Sequence, residues 1–450
     1  MSLPQGPLVA WYGDDFTGSA ATMEALAFAG VPAVLFLDVP TEAQLAHFPE
    51  ARGIGIASTA RTHSPEWMRQ HLPDAFDWLR ATGAPVVHYK VCSTLDSSPE
   101  VGSIGTAIDI GQEIMGGRWV PCLVAAPVMR RYQAFGNLFA SAPDGVFRLD
   151  RHPVMSRHPV TPMDEADVAR HLAQQTDRRL ACLDVEALEG DAEAALAALI
   201  EGGAEVVTLD AMTEGQMAVN GRLIWQGPGQ VLAVGSQGVE YALIAHWREA
   251  GLIDEEPTTE GVWPAKRMVA VSGSVSPTTA AQIDWAEANG FEIIPLDAAA
   301  VACGDVGAEE AARAAALAAL GQGRDPLICS ARGPEDPAVA RLRETIAAQG
   351  IAPEVANERI GAALGRLLAG ILRETGLRRA VISGGDTSGH ASRQMGLYAF
   401  TALAPTIPGA ALLVAHSEDP DFDGLQLALK GGQMGSPDYF GWIKRGGGAA

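Results

Sequence analysis

Positive charge is scarce in this chain: 32 Lys and Arg face 54 Asp and Glu across 450 residues, a formal charge of −22. A surface so negative repels phosphodiester backbones and anionic lipid, which argues against nucleic-acid and membrane partners. Small phosphorylated ligands stay open, because backbone N–H groups and helix N-termini hold phosphate without adding to the charge count. Cysteine is scarce as well. Cys92, Cys122, Cys182, Cys303 and Cys329 are odd in number, scattered, and never spaced C-x-x-C. Neither a disulfide framework nor a zinc site is expected from them. His63, His88, His152 and His158 form no H-x-x-x-H or H-E-x-x-H motif, which argues against a metal cluster. Apolar runs fall short of the roughly 18 residues needed to span a bilayer. No basic leader precedes the first apolar segment, and the expectation is a cytoplasmic protein.

What is present is globular: 48% hydrophobic and 19% charged residues. A chain of this length exceeds one ordinary core, so two domains are expected. Leu8–Tyr12 reads as a buried strand, Gly18–Ala29 as an Ala-rich helix and Ala33–Leu37 as a second strand. Further strands are expected at Gly53–Ala57, Val86–Tyr89, Val120–Ala125, Val206–Leu209 and Val231–Val234. Helical patterns lie between them, at Pro65–Thr82, Asp164–Gln174 and Ala192–Glu201. Continuous apolar runs alternating with helices predict an α/β fold with a mostly parallel sheet. Leu252–Ala265 is acidic, carries two prolines and has neither period, as a linker should. Beyond it the alternation resumes, with strands at Arg267–Val271, Glu292–Pro295, Pro326–Ser330 and Arg379–Ser383 and helices at Thr278–Asn289, Ala308–Leu320 and Asn357–Thr375. The expected division is an N-terminal domain 1–252, a linker 253–265 and a C-terminal domain 266–450, each an α/β domain.

Polar clusters fall where strands end and helices begin, the positions at which open α/β sheets bind ligands. Gly13-Asp14-Asp15-Phe16-Thr17-Gly18-Ser19 places two adjacent carboxylates at one such junction. They can orient a hydroxyl, take its proton or hold Mg²⁺ through water. Helix capping by Asp15 or Thr17 accounts for one acid but poorly for two. Arg61, in Ser58-Thr59-Ala60-Arg61-Thr62, offers a planar fork for a carboxylate, or is a surface arginine. Lys90 closes a strand and is followed by Ser93, Thr94, Asp96, Ser97 and Ser98, a loop suited to a polyol or an acid. In the second half, Ser272-Gly273-Ser274 and Ser383-Gly384-Gly385-Asp386-Thr387 are strand-to-helix turns, joined by Lys430-Gly431-Gly432. Neither a Walker A loop nor G-x-G-x-x-G is among them, yet small residues at helix starts let phosphate reach backbone amides. The basic segment Arg148–Pro159 lines an anion site or pairs with the chain's own acids; the sequence does not separate these.

In these motifs the chain resembles the four-carbon acid-sugar kinase family over nearly its whole length. The resemblance rests on Gly13-Asp-Asp-Phe-Thr-Gly-Ser, Lys90-x-x-Ser-Thr-Leu-Asp-Ser-Ser, Tyr132-x-x-Phe-Gly-Asn-Leu-Phe, His158-Pro-Val-Thr-Pro-Met, Val271-Ser-Gly-Ser, Gly384-Gly-Asp-Thr and Leu429-Lys-Gly-Gly-Gln-Met-Gly. It implies a sugar-acid domain first, an ATP domain second, a catalytic cleft between them, and phosphorylation of a terminal hydroxyl of threonate, erythronate, 3-oxo-tetronate or a related acid. Carried over, the substrate contacts are an acid of the Asp14/Asp15 pair, Arg61 and the Lys90–Ser93 segment; the loop reading adds Thr94 and Asp96, and Asp14 or Asp15 is expected to orient or deprotonate the reacting hydroxyl. ATP, with Mg²⁺, would meet Ser272, Ser274, Gly384, Gly385, Asp386, Thr387 and Gly432. Where relatives often carry Glu-Gly-Asn, this chain has Glu100-Val101-Gly102-Ser103, which leaves the substrate open among four-carbon and branched five-carbon acids. Two other classes fit parts of the pattern: an aldolase or dehydratase with Lys90 as Schiff base, and a non-catalytic sugar-acid sensor. Neither uses all the second-half turns. Self-association is compatible with the sequence and not specified by it.

Overall fold

Val9–Gly13 (β1) reads Val-Ala-Trp-Tyr-Gly, and all five residues are buried. A strand apolar on both faces fits inside a parallel sheet covered by helices on each side. Ala33–Phe36 (β2), Gly53–Ala57 (β3), Val86–Lys90 (β4) and Val120–Leu123 (β5) are buried in the same way. Arg131–Ala134 (β6), Asn137–Ala142 (β7) and Gly145–Arg148 (β8) make a separate antiparallel sheet. Its first turn is Phe135-Gly136, with φ of 47° and 75°, the signature of a type I′ hairpin. Leu180–Leu183 (β9), Val206–Leu209 (β10) and Val231–Gly235 (β11) complete a parallel sheet of order β2-β3-β1-β4-β11-β5-β10-β9. Trp11 constrains its neighbour: a Cβ on Gly55 would lie 2.0 Å from the indole, so β3 keeps glycine there.

The computed structural model describes residues 2–142, 144–158, 160–225, 229–254 and 260–448; the side chain of Asp386 is outside that description. The chain divides into two compact units, Met1–Thr258 and Thr259–Ala450. Of the expected linker, residues 255–259 lie outside the described residues. Val262 and Ala265 are fastened to the second unit, donating to Gly446 O at 2.9 Å and Lys444 O at 2.8 Å.

In the second unit Val269–Ser272 (β12), Phe291–Pro295 (β13), Asp325–Cys329 (β14) and Arg379–Ser383 (β15) are parallel. Leu397–Ala404 (β16), Leu412–Ser417 (β17) and Leu425–Lys430 (β18) follow, antiparallel to one another, and β18 pairs parallel with β15. The order is β13-β14-β12-β15-β18-β17-β16.

Each unit has a point where strand order reverses. In the first, β2 and β3 lie to one side of β1 and β4 to the other; in the second, β13 and β14 lie to one side of β12 and β15 to the other. Chain leaving such neighbouring strands diverges to opposite faces and opens a crevice at their C-terminal ends. Both sets of polar clusters sit there.

Several expectations needed revision. Helix Asp164–Gln174 shrinks to Val168–Leu172, because Asp167 caps it by accepting from the Arg170 N–H. The antiparallel strands β6–β8 and β16–β18 and helix Glu214–Trp225 were not anticipated. All five cysteines are free. No described helix is long and apolar enough to cross a membrane.

Candidate active site

β1 ends at Gly13, and the next residue is pinned from both sides. Asp14 N–H donates to Lys90 O at 3.0 Å, and Arg61 N–H donates to Asp14 O at 3.0 Å. The guanidinium of Arg61 then closes on the acid: Nε donates to Asp14 Oδ2 at 3.1 Å and Nη2 to Oδ1 at 2.6 Å. Nη2 also reaches Asp15 Oδ1 at 2.7 Å.

The two acids divide the roles that the sequence left open. Asp15 is the N-cap of helix Phe16–Phe28, accepting from Gly18 N–H at 3.1 Å and from Thr17 Oγ1 at 2.8 Å. Asp14 caps nothing and its side chain is 2% exposed. Burial pushes the Asp14 carboxyl up to about 6; Arg61 opposes the rise and the neighbouring Asp15 adds to it. Burial also raises Asp15, but Arg61, Lys90, the Thr17 hydroxyl and the Gly18 N–H outweigh it and hold that carboxyl below its usual range. Adjacent carboxyls pushed apart in this way can split a proton-accepting role from a permanently ionised one.

Lys90 ends β4 and is buried at 1% exposure. Its Nζ donates to Val91 O at 2.7 Å. A Cβ on Gly18 would stand 2.4 Å from that Nζ and 2.3 Å from Asp15 Oδ1. Glycine at 18 is therefore what admits the ammonium beside the acid. Below, fully buried His88 links Glu240 Oε1 at 2.7 Å to Gly235 O at 3.0 Å, the satisfied core histidine that its burial requires.

The rest of the Lys90 loop turns to different partners. Ser93 and Thr94 are half-buried in a turn, and Thr94 Oγ1 lies 3.0 Å from Cys92 Sγ. Asp96 accepts from Thr161 Oγ1 and lies 3.8 Å from His158 Nδ1. The segment Arg148–Pro159 thus meets the loop through His158, while Arg148 pairs locally with Asp150; Pro159 lies outside the described residues. Arg131, which the sequence reading passed over, is half-buried and has no carboxylate within ion-pair distance among the described residues. Its Nη1 donates to Ser141 Oγ at 2.8 Å, and its Nε has no partner there.

In the second unit the glycines gather. A Cβ on Gly432 would lie 2.6 Å from Ser274 Oγ; on Gly273, 2.2 Å from Thr387 Oγ1; on Gly384, 2.8 Å from Thr387 Oγ1 and 3.4 Å from Ser274 N. Ser274, Gly384, Thr387 and Gly432, distant in sequence, therefore share one place. Gly385 faces open space. Thr279, unnoticed in the sequence, lies 2.9 Å from Ser274 Oγ and 3.1 Å from Gly432 O. Ser272 Oγ and Ser383 Oγ are buried without a hydrogen-bond partner among the described residues. A cavity of about 450 Å³, lined by Gly273, Thr387, Val275, Leu342, Ile346 and Ile360, adjoins the turns. That is the size and apolar lining of a small-molecule pocket. The Asp386 side chain, expected near ATP, lies outside the described residues.

Comparison with known proteins puts a family to this geometry. A sugar-binding N-terminal domain model matches residues 9–243, and a nucleotide-binding C-terminal domain model matches residues 269–440. The chain is 48% identical over 448 residues to a 3-oxo-isoapionate kinase of Paraburkholderia graminis, covering 98% of this chain and 95% of that protein. It is 32% identical over 432 residues to a 3-oxo-tetronate kinase of Methylobacterium radiotolerans, covering 95% and 96%. Among solved structures, one from Salmonella typhimurium described as a putative tRNA synthase superposes with a TM-score of 0.77 at 25% identity, covering 97% of this chain and 98% of that one. A Haemophilus influenzae protein, HI1011, shares the fold with a TM-score of 0.73 at 22% identity, covering 97% and 99%. This chain belongs to the four-carbon acid-sugar kinase family, whose members are ATP-dependent phosphotransferases acting on sugar-acid hydroxyls.

Proposed function

We propose that the substrate is a branched five-carbon 3-oxo acid, held in the first unit, and that Asp14 accepts the proton of the hydroxyl being phosphorylated. The choice of acid is supported by the 48% identity to a 3-oxo-isoapionate kinase, against 32% to a 3-oxo-tetronate kinase. The choice of base is supported by one observation above others: of two adjacent acids, only Asp14 is free of capping and raised to about 6. A base is most effective when its pKa lies near the working pH. Asp15, ionised and capping, would hold Arg61 and Lys90 in place.

Arg61 spends Nε and Nη2 on the acids. In this reading it anchors the pair and meets the substrate through Nη1. Lys90 and Arg131 would share the substrate carboxylate, with Ser93, Thr94 and Asp96 on its hydroxyls. The reacting hydroxyl is then pointed at Asp14 by groups that bind the far end of the molecule, which is how positioning accelerates transfer.

ATP would lie in the second unit, with its base in the 450 Å³ cavity and its phosphates at Ser272, Ser274, Gly384–Thr387 and Gly432. Magnesium would arrive with those phosphates, neutralising their charge while keeping most of its water ligands. Among the described residues no group of three His, Cys, Asp or Glu competes to hold a metal ion. A donor of this kind suits a cytoplasmic enzyme.

Coupled ADP-release assays with 3-oxo-isoapionate and 3-oxo-tetronate test the reading. A higher kcat/KM for the branched acid is expected. Preference for the four-carbon acid would move the substrate assignment, and ADP release with neither would overturn it.

A further inference from the structure

The two switch points are built alike, and the likeness singles out a residue that no site assignment includes. In the first unit, Gly13 of β1 is in register with Lys90 of β4, and the residue after the strand, Asp14, donates its N–H to Lys90 O at 3.0 Å. In the second, Ser383 of β15 is in register with Lys430 of β18, and Gly384 donates its N–H to Lys430 O at 2.7 Å. The third strand repeats the match: Ser58 N–H donates to Gly13 O, and Gly273 N–H to Ser383 O, each at 3.0 Å. Both lysines are buried, at 1% and 0% exposure. Each Nζ donates to the carbonyl of its own next residue, at 2.7 Å for Lys90 and 2.9 Å for Lys430.

The difference lies in what answers the charge. Beside Lys90 the chain supplies Asp14 and Asp15, beyond ion-pair distance yet near enough for the ammonium to pull both carboxyls down. At the matching positions in the second unit stand Gly384 and Gly385, and a side chain on Gly385 would meet nothing within 4 Å. The other contact of Lys430 Nζ is neutral, Thr279 Oγ1 at 3.2 Å. Among the described residues no carboxylate acts on its charge as Asp14 and Asp15 act on that of Lys90. In the same register, Ser272 and Ser383 stand on the Lys430 face of the sheet, and both hydroxyls are buried without a partner among the described residues. A buried cation and two buried orphan hydroxyls beside an open glycine turn are costly unless a ligand completes them.

We infer that Lys430 is a further catalytic residue, whose ammonium contacts the phosphates of the bound nucleotide in the place that the Asp14–Asp15 carboxylates hold beside Lys90. Ser272 and Ser383 donate to the same phosphate oxygens. This rests on the reading that the second unit holds ATP. Burial pushes the free Lys430 ammonium down to about 8, the direction taken by a cation without its counter-ion.

The test is calorimetric binding of Mg-ATP and of AMP to the full chain and to Lys430→Met, with thermal melting of both. Methionine keeps the length and removes the charge. Lys430→Met should bind ATP about 10- to 100-fold more weakly, the effect of one lost charge-assisted hydrogen bond, and AMP within about twofold of wild type. It should melt no earlier than wild type, because an uncompensated buried charge is replaced by a matching apolar chain. Unchanged ATP affinity, equal loss for ATP and AMP, or early melting would each overturn the inference, the last by making Lys430 a structural residue. A wild-type chain that binds no ATP would instead overturn the underlying reading, and the inference with it.

Discussion

Arg61 grips Asp14 side-on, Nε to Oδ2 and Nη2 to Oδ1, across 47 residues of sequence. The pair is nearly buried, with side-chain exposures of 17% and 2%, so the guanidinium is the main force restraining the Asp14 carboxyl from rising further. Arg61→Met should therefore move the acid limb of the kcat–pH profile to higher pH, whereas an arginine that only bound substrate would change KM and leave the limb in place. Breaking a buried pair from one side costs about 3–5 kcal/mol, so the variant should also melt earlier.

The same shifts set opposite stability trends for the two acids. Asp14 is raised from 3.8 to about 6, so within that window the folded chain binds more protons than the unfolded one. Its contribution to stability falls as pH rises from 3.8 to about 6. Asp15 is lowered; its contribution is present above the unfolded value and is lost as pH falls through the folded one. Melting curves of Asp14→Asn and Asp15→Asn against pH should differ from wild type in opposite senses, and parallel curves would refute the split.

Gly18→Ala separates local from site effects. Alanine is about 1 kcal/mol better than glycine within a helix, and position 18 lies in helix Phe16–Phe28. The new Cβ, however, falls 2.4 Å from Lys90 Nζ and 2.3 Å from Asp15 Oδ1. We expect kcat/KM to drop at least about tenfold, the effect of displacing one catalytic group, with little change in melting. Full activity would mean that Lys90 need not stand there.

Arg131→Met tests the assignment of the substrate carboxylate. The expected outcome is a KM for the sugar acid raised about tenfold or more, with the KM for ATP unchanged, since hydrogen bonds to charged groups contribute about 1.5–3 kcal/mol. An unaltered sugar-acid KM would leave Lys90 and Arg61 as the carboxylate's cations.

The sequence was most legible where one interaction dominates. β3, β10 and β15 are continuous apolar runs and were located to the residue; β1 and β4 were displaced or shortened by one because Gly13 and Lys90 are polar or small. β18 was missed because Gln426 and Lys430 interrupt, in Leu-Gln-Leu-Ala-Leu-Lys, the continuous apolar run that marks a doubly covered strand. With it went Lys430, visible only as part of a glycine motif. The grip of Arg61 on Asp14 depends on β3 lying next to β1, a pairing that spacing along the chain does not reveal. The fork thus read as free for a substrate. Nor could sequence divide Asp14 from Asp15, since burial and capping made them different.

The most direct measurement is transfer of the γ-phosphate of ATP to 3-oxo-isoapionate by wild type and Asp14→Asn, with both substrates saturating and binding followed separately. Wild type should transfer only when the acid is present. Asp14→Asn should bind both ligands and melt like a folded protein, yet transfer about 10²–10⁴-fold more slowly, the usual worth of a general base. Wild-type transfer rates in Asp14→Asn, or ADP release by wild type that is indifferent to the acid, would contradict the account.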